Sequence, residues 1–232
     1  MIKGIMLDYG GTIDTGGVHW SEAIWQAYEK SEVPVTKDDF LNAYVFGEKT
    51  LGSSSIIKPD DNFTDVLDRK IKLQFDYLTD GGFIDKSQTR RFISAIAEYC
   101  YRRAKNCIAD NVPVLEYLKS KYPIVLVTNF YGNIRAVLED FGIGGYFDSV
   151  VESAEVGIRK PDPAIYAEGL KRLGTDAGDA VVIGDSYKND INPGKTCGCK
   201  TVWLKVAGWD NTDNSDRADF IINNFKELTR LL

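Results

Sequence analysis

The chain has 232 residues and a mass of 25.9 kDa, enough for one large domain or a large domain with a small partner. Apolar residues make up 44% and charged residues 27%, which excludes a disordered or fibrous chain. Lys and Arg number 28 against 34 Asp and Glu, a net charge of -6, and this balance argues against a nucleic-acid partner, since phosphate backbones are held by clustered cations. No run of about 18 apolar residues exists, so no membrane span is expected. Met1 to Leu7 meets an acid at Asp8 and does not read as a signal peptide. The four cysteines form no C-x-x-C pair, and His19 is the single histidine. A Cys/His zinc site and a His-dependent triad are therefore not expected, and the thiols read as reduced side chains of a cytoplasmic protein.

In chain order, Ile2 to Leu7 is a short apolar run that ends at Asp8 and the turn-forming Tyr9-Gly10-Gly11-Thr12. From Trp20 to Arg103 the rhythm is helical. Trp20, Ala23, Ile24, Ala27 and Tyr28 keep the spacing of one helix face. Thr36 is placed to cap the next helix, with Asp39 three residues on as a capping-box variant. Phe63, Val66, Leu67, Ile71, Phe75 and Leu78 form a third stripe, and Phe92, Ile96, Tyr99 and Cys100 a fourth. Four successive amphipathic helices predict a small bundle with its own core.

After Asn106 strands alternate with helices. A helix near Val112 to Lys121 is expected, then strands at 123–127, 149–152, 180–183, 201–204 and 220–222 with helices between them and a terminal helix over 225–232. That alternation predicts an α/β fold, a Rossmann-like parallel sheet with helices on both faces. The first strand belongs to the same sheet, so residues 1–14 and 106–232 are expected to form the α/β core, and 15–105 an all-helical cap inserted into it. Hinges are expected near Asp14-Thr15-Gly16-Gly17 and Lys105-Asn106. Ligands of open α/β sheets sit at the carboxyl ends of strands, and Asp8, Thr128, Lys160 and Asp185, followed by Asp190, stand at or just beyond such ends.

These motifs, in this order, are Asp8-Tyr9-Gly10-Gly11-Thr12, Val127-Thr128-Asn129, Gly157-Ile158-Arg159-Lys160-Pro161-Asp162-Pro163 and Gly184-Asp185-Ser186-Tyr187-Lys188-Asn189-Asp190. With a helical insertion after the first strand, the chain resembles the haloacid dehalogenase-like hydrolase superfamily over its whole length. The resemblance implies a Mg²⁺-dependent hydrolase, most often a phosphatase acting on a small phosphorylated metabolite through an aspartyl-phosphate. It implies that Asp8 is the nucleophile. Asp8, Asp185 and the carbonyl of Gly10 would hold Mg²⁺, while Gly11, Thr128, Asn129 and Lys160 would bind the phosphoryl group. Asp190 would orient Lys160 or a metal-bound water. Elementary chemistry agrees. A carboxylate that attacks an anionic phosphate needs positive charge between them, and Mg²⁺ prefers oxygen ligands.

One position departs from the pattern. The family's phosphatases carry a second aspartate two residues after the nucleophile, where it protonates the leaving group; here that position is Gly10. Such a group is typically worth roughly 10²–10⁴-fold in rate. Four readings follow: a phosphatase with a good leaving group or with another proton source such as His19, a cap side chain or water; a phosphonatase-like hydrolase using a cap lysine, with Lys49 the candidate; a dehalogenase; or a catalytically impaired member that binds a phosphorylated metabolite. His19 and the Cys197-Gly198-Cys199 pair read as ordinary packing residues. Substrate identity and oligomeric state carry no sequence signal.

Overall fold

The computed structural model describes residues 1–206 and 218–232. Among the described residues, six parallel strands form one sheet: β1 (Gly4–Leu7), β2 (Ile124–Thr128), β3 (Ser149–Glu152), β4 (Ala180–Gly184), β5 (Lys200–Leu204) and β6 (Phe220–Ile222), in the order β3-β2-β1-β4-β5-β6. The helices are α1 (Trp20–Lys30), α2 (Lys37–Ser53), α3 (Phe63–Asp80), α4 (Thr89–Lys121), α5 (Ile134–Asp140), α6 (Ser153–Val156), α7 (Ala164–Leu173), α8 (Asn192–Thr196) and α9 (Leu228–Leu231). The helix expected between β4 and β5 opens as a π turn over Tyr187–Ile191 before α8.

The central strands β1, β2 and β4 are buried on both faces, as parallel strands covered by helices must be, while Phe220 and Ile221 of the edge strand β6 are exposed. Alternation along them separates two apolar layers. Ile5, Leu7, Leu126, Val181 and Ile183 face α4, which contributes Val114, Leu115 and Leu118. Met6, Val125, Val127 and Val182 face Ile165 and Tyr166 of α7. A β-carbon on Gly169 of α7 would lie 2.5 Å from Met6 Sδ, so glycine lets this helix sit close on the sheet.

The insertion after β1 is helical from α1 to α4. Thr36 caps α2 in a reciprocal box with Asp39, as its spacing predicts, and Asn62 with Asp65 does the same for α3. The separate helix expected over Val112 to Lys121 is the last third of α4, which runs unbroken through Lys105 and Asn106 and over Pro113. The buried residues Cys100, Ala104, Ile108, Asn111, Leu115 and Leu118 explain this, because their spacings of three and four keep one stripe along the whole helix. The buried apolar side chains of the insertion therefore continue through α4 into the layer on the sheet. Lys105-Asn106 is ordered helix, not a loop hinge. At the other connection Gly16 and Gly17 adopt φ of 67° and 91°, backbone that favours glycine.

Candidate active site

The strand order places β1 between β2 and β4, so the residues that end these strands converge. Asp8 follows β1, and its amide donates to the carbonyl of Ile183 in β4 at 2.9 Å. Thr128 ends β2, Asp185 follows β4, and Lys160 arrives from the turn between α6 and α7. Asp8, Gly10, Thr128, Asn129, Lys160, Asp185 and Asp190 all line one cavity of about 510 Å³.

Lys160 is the hub. Its ammonium donates to Asp8 Oδ1 at 2.6 Å and to Asp190 Oδ1 at 2.7 Å, with both partners buried. Burial alone would depress the lysine, but Asp190 and Asp8 outweigh it and hold its pKa above the ordinary range. Asp190 is fully engaged: Oδ1 also accepts from the Tyr166 hydroxyl at 2.8 Å, and Oδ2 accepts the Ser186 N–H at 3.0 Å. This is the geometry of a group that fixes Lys160. A β-carbon on Gly184 would lie 2.5 Å or less from Asp190, so that glycine makes room for it.

Asp8 Oδ2 accepts from the Thr12 hydroxyl at 2.9 Å, which also lies 3.2 Å from Asp185 Oδ1. Burial pushes the Asp8 carboxyl up to about 6 despite Lys160. Asp185 is held well above the carboxylate range, first by burial and then by the charges of Asp8 and Asp190, with little relief from Lys160. An acid crowded by two others, with no ion pair of its own among the described residues, has the surroundings of a metal ligand. Oxygens of Asp8, Asp185 and Asp190 lie within 4.8 Å of one another. With Asp190 spent on Lys160, Tyr166 and Ser186, Asp8 and Asp185 form an all-oxygen donor pair that fits a hard cation such as Mg²⁺.

Two of the residues expected at the phosphate are otherwise occupied. The Gly11 amide donates to Asp14 Oδ1 at 2.7 Å, and Gly11 at φ 98° serves mainly to admit Asp185 against the loop. The Asn129 side chain spans the gap to Lys160, giving its N–H to the Lys160 carbonyl at 3.0 Å and accepting the Lys160 N–H at 2.9 Å. It thereby positions the lysine backbone. Gly10 has no positive φ, and a β-carbon there would meet nothing within 4 Å. Neither backbone strain nor crowding accounts for glycine at this position.

Sequence reasoning missed four supporting residues. Thr12 lay inside a quoted motif without a role. Asp14 is buried, accepts from Gly11 and from Trp20 Nε1 at 2.8 Å, and is pushed by burial up to about 7; an acid in a buried turn was its available signal. Tyr166 and Trp203, whose indole donates to the Asp185 carbonyl at 2.8 Å, look like ordinary core aromatics in sequence. His19, named from the sequence both as a possible proton source and as an ordinary packing residue, also lines the cavity. Lys49 is exposed on α2 and is not among the cavity residues.

Comparison with known proteins adds to this geometry. The chain is 34% identical over 91 residues to the glyceraldehyde 3-phosphate phosphatase of Methanocaldococcus jannaschii, covering 39% of this chain and 40% of that one. It is 31% identical over 146 residues to the N-acylneuraminate-9-phosphatase of Mus musculus, covering 59% of each. The chain thus spans about two fifths to three fifths of the length of these curated relatives. The crystal structure of a dehalogenase with an intermediate complex shares the fold, with a TM-score of 0.69 and 17% identity over 100% of this chain and 97% of that one. The family model for haloacid dehalogenase-like hydrolases matches residues 2–198, a span that holds all four strand-end motifs as well as the helical insertion. With Asp8 and Asp185 just beyond neighbouring strand ends and Lys160 bonded to Asp8, all within that span, the chain belongs to the haloacid dehalogenase-like hydrolase family.

Proposed function

We propose that this hydrolase is a Mg²⁺-dependent phosphatase of a small phosphorylated metabolite. The observation that carries the reading is Lys160 seated 2.6 Å from Asp8 Oδ1, beside an Asp185 carboxylate that burial and the charges of Asp8 and Asp190 hold well above the ordinary range. Asp8 is the nucleophile: its oxygen bonds to phosphorus as the ester P–O bond breaks, and the leaving oxygen takes a proton. Water then attacks the phosphorus of the aspartyl-phosphate, and Asp8 leaves as a carboxylate with inorganic phosphate released. Lys160 offsets charge on Asp8 and the phosphoryl oxygens throughout, held in place by Asp190 and Asn129. Thr128 lines the same cavity and would hydrogen-bond a phosphoryl oxygen. Asp8, Asp185 and the Gly10 carbonyl would hold Mg²⁺, whose chemistry here is to neutralise phosphate charge against the carboxylates.

The phosphonatase-like reading has less support. It needs a neutral cap lysine at the substrate, but Lys49 is exposed. Lys70, the buried lysine of α3, is paired with Glu48 at 2.7 Å and held well above the ordinary range: burial works against that, and Glu48 outweighs it. A cytoplasmic setting is consistent with four free thiols and with no described helix long and apolar enough to cross a membrane.

A panel of phosphorylated metabolites and p-nitrophenyl phosphate, assayed with Mg²⁺ and with chelator, tests the reading. Activity with Mg²⁺, lost with chelator and in Asp8→Asn, is expected. Full activity of Asp8→Asn, or indifference to chelator, would refute it.

A further inference from the structure

We propose that the substrate carries a second anionic group, a carboxylate or a further phosphoryl, and that Lys205, with Lys188, receives it; the inference names a substrate class for the phosphatase reading above and rests on that reading. Among the described residues only four lysines are not exposed: Lys70, Lys119, Lys160 and Lys205. Lys70 is paired with Glu48, Lys119 with Asp148, and Lys160 with Asp8 and Asp190. Lys205 has no acid partner among the described residues, and its ammonium meets the Trp203 ring instead. Taking part of an ammonium out of water without a counter-charge is unfavourable. A bound anion would supply the missing charge.

Contacts tie this cation to the catalytic end of the sheet. Lys205 directly follows β5, and its amide donates to the Ile222 carbonyl of β6 at 2.9 Å. Its Nζ lies 4.7 Å from the centre of the Trp203 ring. Trp203 is itself buried, stands opposite Gly184 in the register of β4 with β5, and donates its indole N–H to the Asp185 carbonyl at 2.8 Å. One fixed ring therefore separates the ammonium from the backbone of an acid that fits the metal. A ring face attracts a cation but leaves its charge in place. The next residue, Val206, lies so near Gly17 that a β-carbon there would be 2.5 Å from Val206 Cγ2, which puts Lys205 at the seam between core and insertion. Lys188 belongs to the π turn after β4, which the Ser186 N–H closes by donating to Asp190 Oδ2 at 3.0 Å.

The cations of the cavity then divide the work. Lys160 is committed to Asp8 and Asp190, and serves the scissile phosphoryl beside Thr128. Lys188 and Lys205 line the same cavity and have no such commitment. At about 510 Å³ the cavity is of the size that takes a whole small ligand, so it has room for more than a phosphoryl group. A phosphorylated neutral alcohol leaves these two cations unmatched. A phosphorylated acid or a bisphosphate matches them.

The test uses full-length wild type with Mg²⁺ and a series of phosphorylated hydroxy acids of increasing chain length. Each is paired with the uncharged alcohol phosphate of the same length, and a second series carries another phosphate in place of the carboxylate. At one chain length or more, kcat/KM should favour the anion-bearing member by about 10–100-fold, the worth of a hydrogen bond to a charged group. The series that shows the preference identifies the second anion as carboxylate or phosphoryl. Lys205→Met should erase most of that preference, chiefly through KM, whereas Lys205→Arg, which keeps the charge and can still lie on the ring, should retain it. Lys188→Met should reduce it. A wild type with no preference in either series would overturn the inference, as would a Lys205→Met protein that keeps the preference. An equal loss on both members of every pair would overturn it too, since Lys205 would then serve the scissile phosphoryl. Should Lys205→Met not fold, Lys205→Gln takes its place, and the wild-type series still decide on their own. A wild type inactive on every ester and on p-nitrophenyl phosphate would instead bring down the phosphatase reading, and this inference with it.

Discussion

Gly11 and Asp185 stand so close that a β-carbon on Gly11 would lie 2.4 Å from Asp185 Oδ2. Gly11 also sits at φ 98°, which L side chains rarely adopt. The loop after β1 and the loop after β4 are thus pressed together by the absence of one carbon, and this brings Asp8 and Asp185 into one site. Gly11→Ala should destabilise the protein by about 1–3 kcal/mol and abolish Mg²⁺-dependent hydrolysis, because strain and displacement of Asp185 act together. Gly10→Ala is the control. With no neighbour within 4 Å and no positive φ, it should leave stability unchanged or raise it by about 0.4–1 kcal/mol. Denaturant unfolding of both variants checks the contrast. Equal losses would show that crowding at Gly11 is not the cause.

Lys160→Met should be costly for stability as well as activity. It leaves Asp8 and Asp190 buried side by side without their shared cation. Breaking a buried pair by removing one partner costs about 3–5 kcal/mol. The loss should shrink at low pH, where Asp8, raised to about 6 by burial, takes up a proton. Urea midpoints at pH 5 and pH 8 measure it.

Without metal, stability should fall as pH rises from about 4 to about 7. Burial raises Asp8 to about 6 and Asp14 to about 7, and Asp185 is raised as well. An acid with a raised folded-state pKa contributes stability that is complete below its unfolded value and lost as pH climbs through the folded one. Mg²⁺ reverses the loss by pairing with the ionised Asp8 and Asp185, so its stabilising effect should be small at pH 5 and large at pH 8. Thermal melts with chelator and with 10 mM Mg²⁺, roughly a saturating level for millimolar or tighter binding, would expose a flaw if the Tm gain were the same at both pH values.

The helical insertion meets the core at polar contacts near the site. The Tyr131 hydroxyl donates to Glu48 Oε2 at 2.9 Å, and Asn133 Nδ2 donates to the Asp61 carbonyl at 2.7 Å. We expect the insertion to act as a lid that swings about Gly16 and Gly17 while α4 flexes as a continuous helix. Closure of such a lid excludes water from the site. Small-angle scattering with Mg²⁺ and a metal fluoride should give a smaller radius of gyration than the free protein, and Tyr131→Phe should reduce the change. Identical curves in the two states would argue against a moving lid.

The sequence by itself determined the sheet, the helical insertion and the strand-end motifs. Local chemistry writes these into short windows: buried parallel strands read as Val- and Ile-rich runs, amphipathic helices as stripes, and caps such as Thr36 with Asp39 as spacings of three. The same windows misled at α4, where the change of rhythm after Asn106 suggested a break. Packing kept one helix, since its stripe from Cys100 to Leu118 buries against both the insertion and the sheet. What only the tertiary structure decided is how the site's groups are employed. Nothing in the order of residues says that Asn129 braces Lys160, that the Gly11 amide is taken by Asp14, or that Tyr166 and Trp203 hold Asp190 and Asp185. Nor does sequence show that His19 and Gly10 line one cavity. The site also joins residues as far apart as Thr12 and Asp185, 173 positions, because parallel pairing of β1 with β2 and β4 brings distant loops to one edge of the sheet.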